Sequence, residues 1–276
     1  MAKPSSSNLF KGLEALYAKY NKRKFVHPDP LEFLYLFPDP REREVAGLIC
    51  ACLAYGRVAQ ILKKISQCLE KMEMRPRRFL LSQDKTEIKR RFADFHYRFT
   101  KAPDMIAFLT GLKALLERYG SIEEAFANPA QDLSTTKMPL IVERLSAFVR
   151  EFLDLAQLDK SYLLPDPQKK SACKRLFLYL RWMVRKDEVD PGGWSCVKPC
   201  DLLVPLDTHM FNIAKSIGFT KKKQAGLNCA IEITEAFKQI NPEDPVKYDF
   251  VLTRFGIRSE LSREDVPRLC LEGDEA

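Results

Sequence analysis

Apolar positions recur along most of this chain three and four residues apart, the spacing that lines one face of a helix. Leu9, Leu13, Leu16, Tyr17 and Tyr20 mark a first helix, which ends in the basic run from Asn21 to Lys24. His27-Pro28-Asp29-Pro30 breaks the chain, and Pro38-Asp39-Pro40 closes a short helix over Leu31 to Phe37. A strong helix follows from Arg41 to Tyr55, with Val45, Leu48, Ile49, Cys52 and Leu53 turned inward, and Gly56 separates it from another running from Val58 to about Met74. Further helices are expected over Pro103 to Tyr119, Ser121 to Ala127 (Ser121 and Glu124 stand at capping-box spacing) and Ile141 to Leu158. After the loop Leu163-Leu164-Pro165-Asp166-Pro167, a helix opened by Lys174 is apolar almost all round, through Leu176, Phe177, Leu178, Leu180, Trp182, Met183 and Val184. Asp207 stands where the N-cap of the next helix belongs, with Met210, Phe211, Ala214 and Ile217 in phase behind it and Gly218 past its end. Leu227 to Gln239, and a last helix through Tyr248, Asp249, Phe250 and Leu252 to Gly256, complete the pattern.

No alternating strand pattern and no internal repeat stand out, and the β-branched runs near Ile231 and Val251 fall in helical phase. The expected fold class is all-α. Residues 1–8 read as a disordered tail, residues 9–262 as one helical domain, and residues 263–276 as a loose polar end.

With 276 residues, 46% of them hydrophobic and 30% charged, the chain can bury a substantial core. No apolar run reaches the roughly 18–20 residues that a membrane span needs, and the start MAKPSSSNLFKG has no apolar signal segment, so a cytoplasmic protein without a membrane partner is the expectation. A net charge of +8 permits a polyanionic partner without requiring one. Of eight cysteines, most sit in apolar segments as reduced thiols do. Cys196 and Cys200 have no second pair at zinc-ligand spacing, so no metal is expected.

Lys174 and Asp207 carry the chemistry of interest. A lysine that enters an apolar helix is costly to bury, and both burial and the positive end of the helix dipole favour its neutral amine. A neutral amine is the form that makes a Schiff base. The plainer alternative is a lysine that snorkels to solvent at a helix start. Asp207 is explained by capping alone, yet a cap also fixes a carboxylate with one oxygen free to face a cleft. Elsewhere, Tyr55-Gly56-Arg57 sets an aromatic ring and an arginine on an exposed corner, either as turn chemistry or as a wedge on nucleic acid. Arg75-Pro76-Arg77-Arg78 and Lys89-Arg90-Arg91 are solvated clusters or phosphate contacts. In Phe95-His96-Tyr97-Arg98-Phe99 core packing explains the rings but not His96 and Arg98 among them, for which the alternative is a pocket or DNA-facing role.

The segment Val204-Pro205-Leu206-Asp207-Thr208-His209, followed by Phe211 and Ala214, resembles the Val-Asp-Thr-His signature of the helix-hairpin-helix DNA glycosylases of the endonuclease III group. The usual Leu-Pro-Gly-Val-Gly hairpin is absent, its place reading Leu164-Pro165-Asp166-Pro167-Gln168-Lys169-Lys170. The 33 residues from Lys174 to Asp207 exceed the usual separation. The archaeal 8-oxoguanine glycosylase branch is the better match, its lysine opening an apolar helix in a context similar to Ala172-Cys173-Lys174-Arg175-Leu176-Phe177. As a whole the chain also resembles an uncharacterised bacterial family containing this module. The resemblance covers roughly residues 165–257, with a weaker echo from about Asp29 to Leu69.

That resemblance implies a two-lobed helical fold with a cleft, a central lobe over about residues 41–224 and a second lobe made by the N-terminal helices with about residues 225–262. It implies a monomer that grips double-stranded DNA containing a damaged base, such as an oxidised purine, or an abasic site, and flips the nucleotide out. Lys174 would attack C1′ and Asp207 would stabilise the developing charge. Lys170 is the rival nucleophile, because it too follows Leu164-Pro165 at family-like spacing. Trp182, Trp194, His96, Tyr248 and Phe250 become candidates for the wall behind the flipped base, with core packing the stronger reading for Trp182, and Arg185, His209 and Arg254 for phosphate or pocket contacts. The iron–sulfur cluster of many relatives needs four cysteines after the last helix, where only Cys270 stands, so no cofactor is expected. Two other readings remain: a nucleic-acid-binding module without turnover, favoured by the missing glycine hairpin, and a metal-dependent nuclease built on Glu243, Asp244 and Asp249.

Overall fold

The computed structural model describes residues 6–129, 138–169 and 171–272. Within them the chain is all-α, and no described helix is long and apolar enough to cross a membrane. In chain order the helices are α1 (Ser6–Tyr20), α2 (Pro40–Leu53), α3 (Val58–Lys71), α4 (Pro76–Ser82) and α5 (Lys85–Phe92). They continue with α6 (Ala102–Tyr119), α7 (Ile122–Ala127), α8 (Leu140–Ala156), α9 (Lys174–Val184), α10 (Thr208–Ser216), α11 (Leu227–Lys238), α12 (Asp249–Ile257) and α13 (Asp265–Glu272).

Local chemistry sets many of the boundaries. Asp39 accepts a hydrogen bond from Arg41 N with Pro40 in the first turn of α2, Asp84 caps α5 through Glu87 N, and Ser121 caps α7 through Glu124 N. Gly120 takes the left-handed conformation that ends α6.

Helix α2 lies at the centre, buried without a break from Glu44 to Leu53 and packed against α3, α4, α7 and α9. Gly47 lets α9 approach, since a Cβ there would stand 3.2 Å from the Tyr179 ring. The Tyr179 hydroxyl donates to Glu44 O at 3.0 Å. The Glu44 carboxylate accepts from Trp194 Nε1 and from Glu123 N, so one buried acid joins α2 to α7 and to the loop after α9. Burial pushes that carboxyl above the usual range. A second layer forms where α6 packs on α4, α5, α7 and α8.

Three differences from the sequence expectation have physical causes. A short antiparallel hairpin, β1 (His96–Tyr97) paired with β2 (Thr100–Lys101), sits inside the aromatic run. Two residues per strand are too few to show alternation. The supposed tail over 263–276 contains α13, which docks on α1 with Val266 and Cys270 buried. Gly12 permits that contact, because a Cβ there would lie 2.5 Å from Cys270 O. At the other end α1 begins at Ser6, inside the stretch expected to be disordered, and residues 1–5 and 273–276 lie outside the described residues.

Candidate functional site

Helices α9, α10 and α12 are held together by charge as well as by apolar packing. Arg181, buried on α9, donates to Asp249 at the first turn of α12 and to Asp190 in the following loop. Asp190 also accepts from Arg185, which reaches Asp244 at 2.9 Å and Asp187 at 2.9 Å. Each of these guanidiniums has two or more carboxylates around it, the condition under which buried charge is tolerated. Helix α10 lies against α12, where Gly256 makes room for the His209 ring.

This frame brings the starts of α9 and α10 together. Lys174 Nζ lies 3.4 Å from Asp207 Oδ2, although 33 residues separate them in sequence. The other carboxylate oxygen, Asp207 Oδ1, accepts from Met210 N at 2.8 Å and caps α10. The lysine side chain is 34% exposed and the aspartate 19%. Lys174 is therefore less buried than its apolar neighbours imply, because as the first residue of α9 it precedes the stretch from Leu176 onward that the core covers. Its ammonium is held by a carboxylate rather than stripped of water.

Behind the pair lies Asp249, fully buried, with Oδ1 lacking a hydrogen-bond partner among the described residues. Burial raises its pKa to about 6, with the Asp207 charge acting in the same direction against the opposing pull of Arg181 and Lys174. The cluster thus holds two carboxylates within electrostatic reach of one lysine. Asp207, tied to a backbone N–H and an ammonium, accounts for both of its oxygens. Asp249 leaves one oxygen unsatisfied.

The chain reaches Lys174 through a turn built on Asp166. Its carboxylate accepts from Ser146 Oγ and from Gln168 N, and its carbonyl accepts from Lys169 N. These bonds fold the Pro167–Lys169 turn at the place that corresponds to the glycine hairpin of the resembled glycosylases. Cys173 then takes a left-handed conformation, φ +43°, and donates its thiol to Pro165 O before α9 begins. The rival nucleophile Lys170 lies outside the described residues.

The structure separates the remaining candidates into buried and exposed sets. Trp182, Trp194, Tyr248 and Phe250 are core residues, which removes them as a wall for a base. Trp182 sits wholly inside α9's packing, Trp194 donates to Glu44, and the Tyr248 hydroxyl donates to Glu14 Oε1. Arg185 and Arg254 are likewise unavailable to phosphate, Arg185 being bound into the acidic cluster while Arg254 pairs with buried-side Asp29 at 2.9 Å and lies over the Phe250 ring. His209 packs against Gly256 with its Nδ1 buried and without a hydrogen-bond partner among the described residues. In each case helical spacing named a residue correctly as aromatic or cationic while leaving open which face it occupies.

Tyr55, Arg57, His96 and Arg98 do reach one surface. Arg57, His96 and Arg98 are exposed, and Tyr55 is half-buried with its hydroxyl on Tyr97 O at 3.0 Å and Thr100 Oγ1 at 2.6 Å. Sequence reading missed three members of this surface. Arg175, next to Lys174, donates to Cys52 O and Tyr162 O and lies over both the Tyr55 and Tyr162 rings. Tyr162 gave no signal in its loop, and Phe99 was visible only as one ring in a run. Within the basic clusters Arg90 and Arg91 pair with Glu87, and Arg77 donates to Gly120 O.

Among the described residues no group of three His, Cys, Asp or Glu side chains could hold a metal ion. Asp244 and Asp249, named for a metal-dependent nuclease, are instead bound to Arg185 and Arg181. A cavity of about 690 Å³ is lined by Met138, Pro167, Gln168, Lys222 and residues 224–229, and neither Lys174 nor Asp207 lines it.

Residues 29–258 match the model of a family described as "Protein of unknown function (DUF2400)". The chain belongs to this family. No curated protein and no solved structure matches it. Asp29, which pairs with Arg254, and Arg258, which donates to His27 O, stand at the two limits of the DUF2400 match. The family segment takes in the Lys174–Asp207 pair, the buried charge cluster and the aromatic corner, and stops short of α13.

Proposed function

We propose that this protein is a DNA base-excision glycosylase with abasic-site lyase activity, using Lys174 as nucleophile and Asp207 as the fixed carboxylate beside it. One observation carries the reading: a lysine and an aspartate, singled out in the sequence by their places at helix starts and by the resemblance, stand 3.4 Å apart at the starts of two helices. The aspartate is anchored by its own cap, so its second oxygen is free to take the lysine's proton when substrate arrives. The resulting amine attacks C1′, the glycosidic bond breaks with its electron pair leaving on the base, and the lysine nitrogen becomes bonded to the sugar. Opening of the sugar ring gives a protonated imine, from which elimination of the 3′ phosphate cleaves the strand. Asp207 passes the proton it has taken to the departing base and, an anion again, faces the positive charge that develops on the sugar. On this reading the site lies between a central lobe and a lobe made by the N-terminal helices with α11 and α12, and the protein works as a monomer on duplex DNA, on oxidised purines among other lesions.

Incubation with duplexes carrying 8-oxoguanine or an abasic site, followed by borohydride reduction, should trap a covalent adduct whose peptide maps to Lys174. Failure to trap any adduct across a panel of lesions removes the proposal, and an adduct on Lys170 reassigns the nucleophile.

The Asp166 turn in place of a glycine hairpin favours a second reading, a nucleic-acid-binding module without turnover. It predicts salt-sensitive binding that Lys174→Gln leaves unchanged and no adduct.

A further inference from the structure

We propose that Phe99, Tyr162, Arg175 and Tyr55 form a preorganised stacking platform for an unpaired nucleobase, distinct from the Lys174–Asp207 pair and next to it. The inference rests on the nucleic-acid reading of that pair but not on its chemistry.

The rings are joined in a row. Tyr55 meets Tyr162 edge-on with centroids 5.1 Å apart, and Tyr162 meets Phe99 edge-on at 5.7 Å. Arg175 lies 5.2 Å from the Tyr55 centroid and 4.9 Å from that of Tyr162, and Arg98 lies 5.6 Å from that of Phe99. At the outer end the row is open to solvent, Phe99 being 67% and Tyr162 53% exposed. Apart from its contacts with Tyr162 and Arg98, the Phe99 ring on the hairpin tip is left in water. Its free face is available to a ligand with a flat face of its own.

The scaffold beneath is stiff. Phe99 occupies the turn between β1 and β2, and Tyr55 ties that hairpin to the end of α2 by bonding both Tyr97 O and Thr100 Oγ1. Tyr97 returns a bond to Tyr55 O, while Arg175 fixes Tyr162 through its carbonyl. Such a platform loses little conformational freedom on binding.

Charge selects the occupant. On the hairpin itself the exposed His96, Arg98 and Lys101 have no acid among them, the flanking acids are engaged, Asp94 by Lys71 Nζ at 2.6 Å and Asp104 by Lys101 N at 2.8 Å, and Arg57 stands exposed on the neighbouring turn. Alternating rings and cations suit a base with its phosphate, the pattern by which single-stranded nucleic acid is held without sequence readout. Paired bases inside a duplex already cover one another's faces, so the platform favours a strand that is single, bulged or opened at a lesion. Arg175 directly follows Lys174 on α9, which sets this surface beside the candidate nucleophile.

The test uses two probes, a fluorescein-labelled oligothymidine followed by anisotropy and a duplex with one bulged 2-aminopurine whose emission falls on stacking. Phe99→Ala and Tyr162→Ala should each weaken binding of both probes about five-fold or more and reduce the 2-aminopurine quench. Phe99→Trp should restore both, and Phe10→Ala, at an exposed ring on α1, should change neither. Thermal melts of the variants should match wild type, because both rings lie outside the core. Wild-type affinity and quench in Phe99→Ala and Tyr162→Ala overturn the proposal. So does failure of the native protein to bind either probe, the result expected if this patch instead receives a protein segment. Ring-dependent binding without a borohydride adduct upholds the platform while removing the proposed chemistry, and an adduct with ring-independent binding does the reverse.

Discussion

Lys174 Nζ lies 3.4 Å from Asp207 Oδ2, while Asp207 Oδ1 holds Met210 N at 2.8 Å, so a single carboxylate both caps a helix and faces the lysine. These two tasks separate by substitution. Asn caps helices about as well as Asp but carries no charge, whereas Ala does neither. Asp207→Asn should keep stability within about 0.5 kcal/mol of wild type, and Asp207→Ala should lose about 1 kcal/mol in urea melts. Both should slow single-turnover release of 8-oxoguanine by about 100-fold or more, the scale set by losing one fixed electrostatic partner of the transition state. Full activity in Asp207→Asn would show that the cap, and not the charge, explains this aspartate.

Asp190 is the carboxylate on which the frame behind the site depends, since it is wholly buried and bonds both Arg181 and Arg185. Asp190→Asn leaves two buried guanidiniums facing an amide. The expected loss is on the order of 3–5 kcal/mol, read from urea denaturation, as found when one partner of a buried pair is removed. Lys174→Gln breaks a partly exposed pair and should cost less than about 1 kcal/mol, so the contrast between the two variants tests which charges hold the fold.

The all-α class and most helices were legible because a period near 3.6 survives in long elements such as α2, α6 and α9. The Lys174–Asp207 pairing was legible because both residues open helices and belong to one motif-like context. Arg181 and Asp249 escaped notice as structural partners. A buried Arg–Asp bond between distant helices leaves no local mark, and Asp249 read equally well as an exposed acid. The same limit misplaced Tyr248, Arg185 and Arg254. When a helix is covered on nearly every side, as α9 and α12 are, periodicity no longer distinguishes a lining residue from a core residue. Tyr162 and Arg175 meet only through a loop, and no sequence rule brings them together.

Asp249 makes one electrostatic prediction with a definite sign. Its folded pKa of about 6 stands above the ordinary 3.8, so between those values the folded protein holds a proton that the unfolded chain has released. The contribution of Asp249 to stability therefore falls as pH rises through about 4 to 6, and stays low above that window. Asp249→Asn lacks this titration. In urea melts at intervals from pH 4 to 7, the variant's stability deficit relative to wild type should be largest near pH 4 and shrink by pH 6. A deficit that is flat or grows with pH would contradict the raised pKa. Comparing wild type with variant cancels the opposing slopes of surface acids such as Glu87, whose pKa Arg90 and Arg91 lower to about 2.

Gly256 tests whether His209 is a packing residue. A Cβ at position 256 would lie 2.3 Å from His209 Nδ1, 2.6 Å from Cγ and 2.8 Å from Cβ. Because His209 Cβ is itself too close, no rotation of the ring relieves the clash, and α10 must move away from α12. Helix propensity alone would make Gly256→Ala stabilising by about 1 kcal/mol. Overpacking should reverse that sign and cost a net ~1–3 kcal/mol in urea melts. In a double-mutant cycle, adding His209→Ala should recover most of the loss, because the second truncation removes the atoms that the new methyl meets. His209→Ala alone should leave the salt dependence of DNA binding unchanged, since a ring that packs on Gly256 with Nδ1 buried serves the helix contact rather than a phosphate. A shallower salt dependence in that variant would return His209 to the nucleic-acid surface and place the α10–α12 contact in a different arrangement.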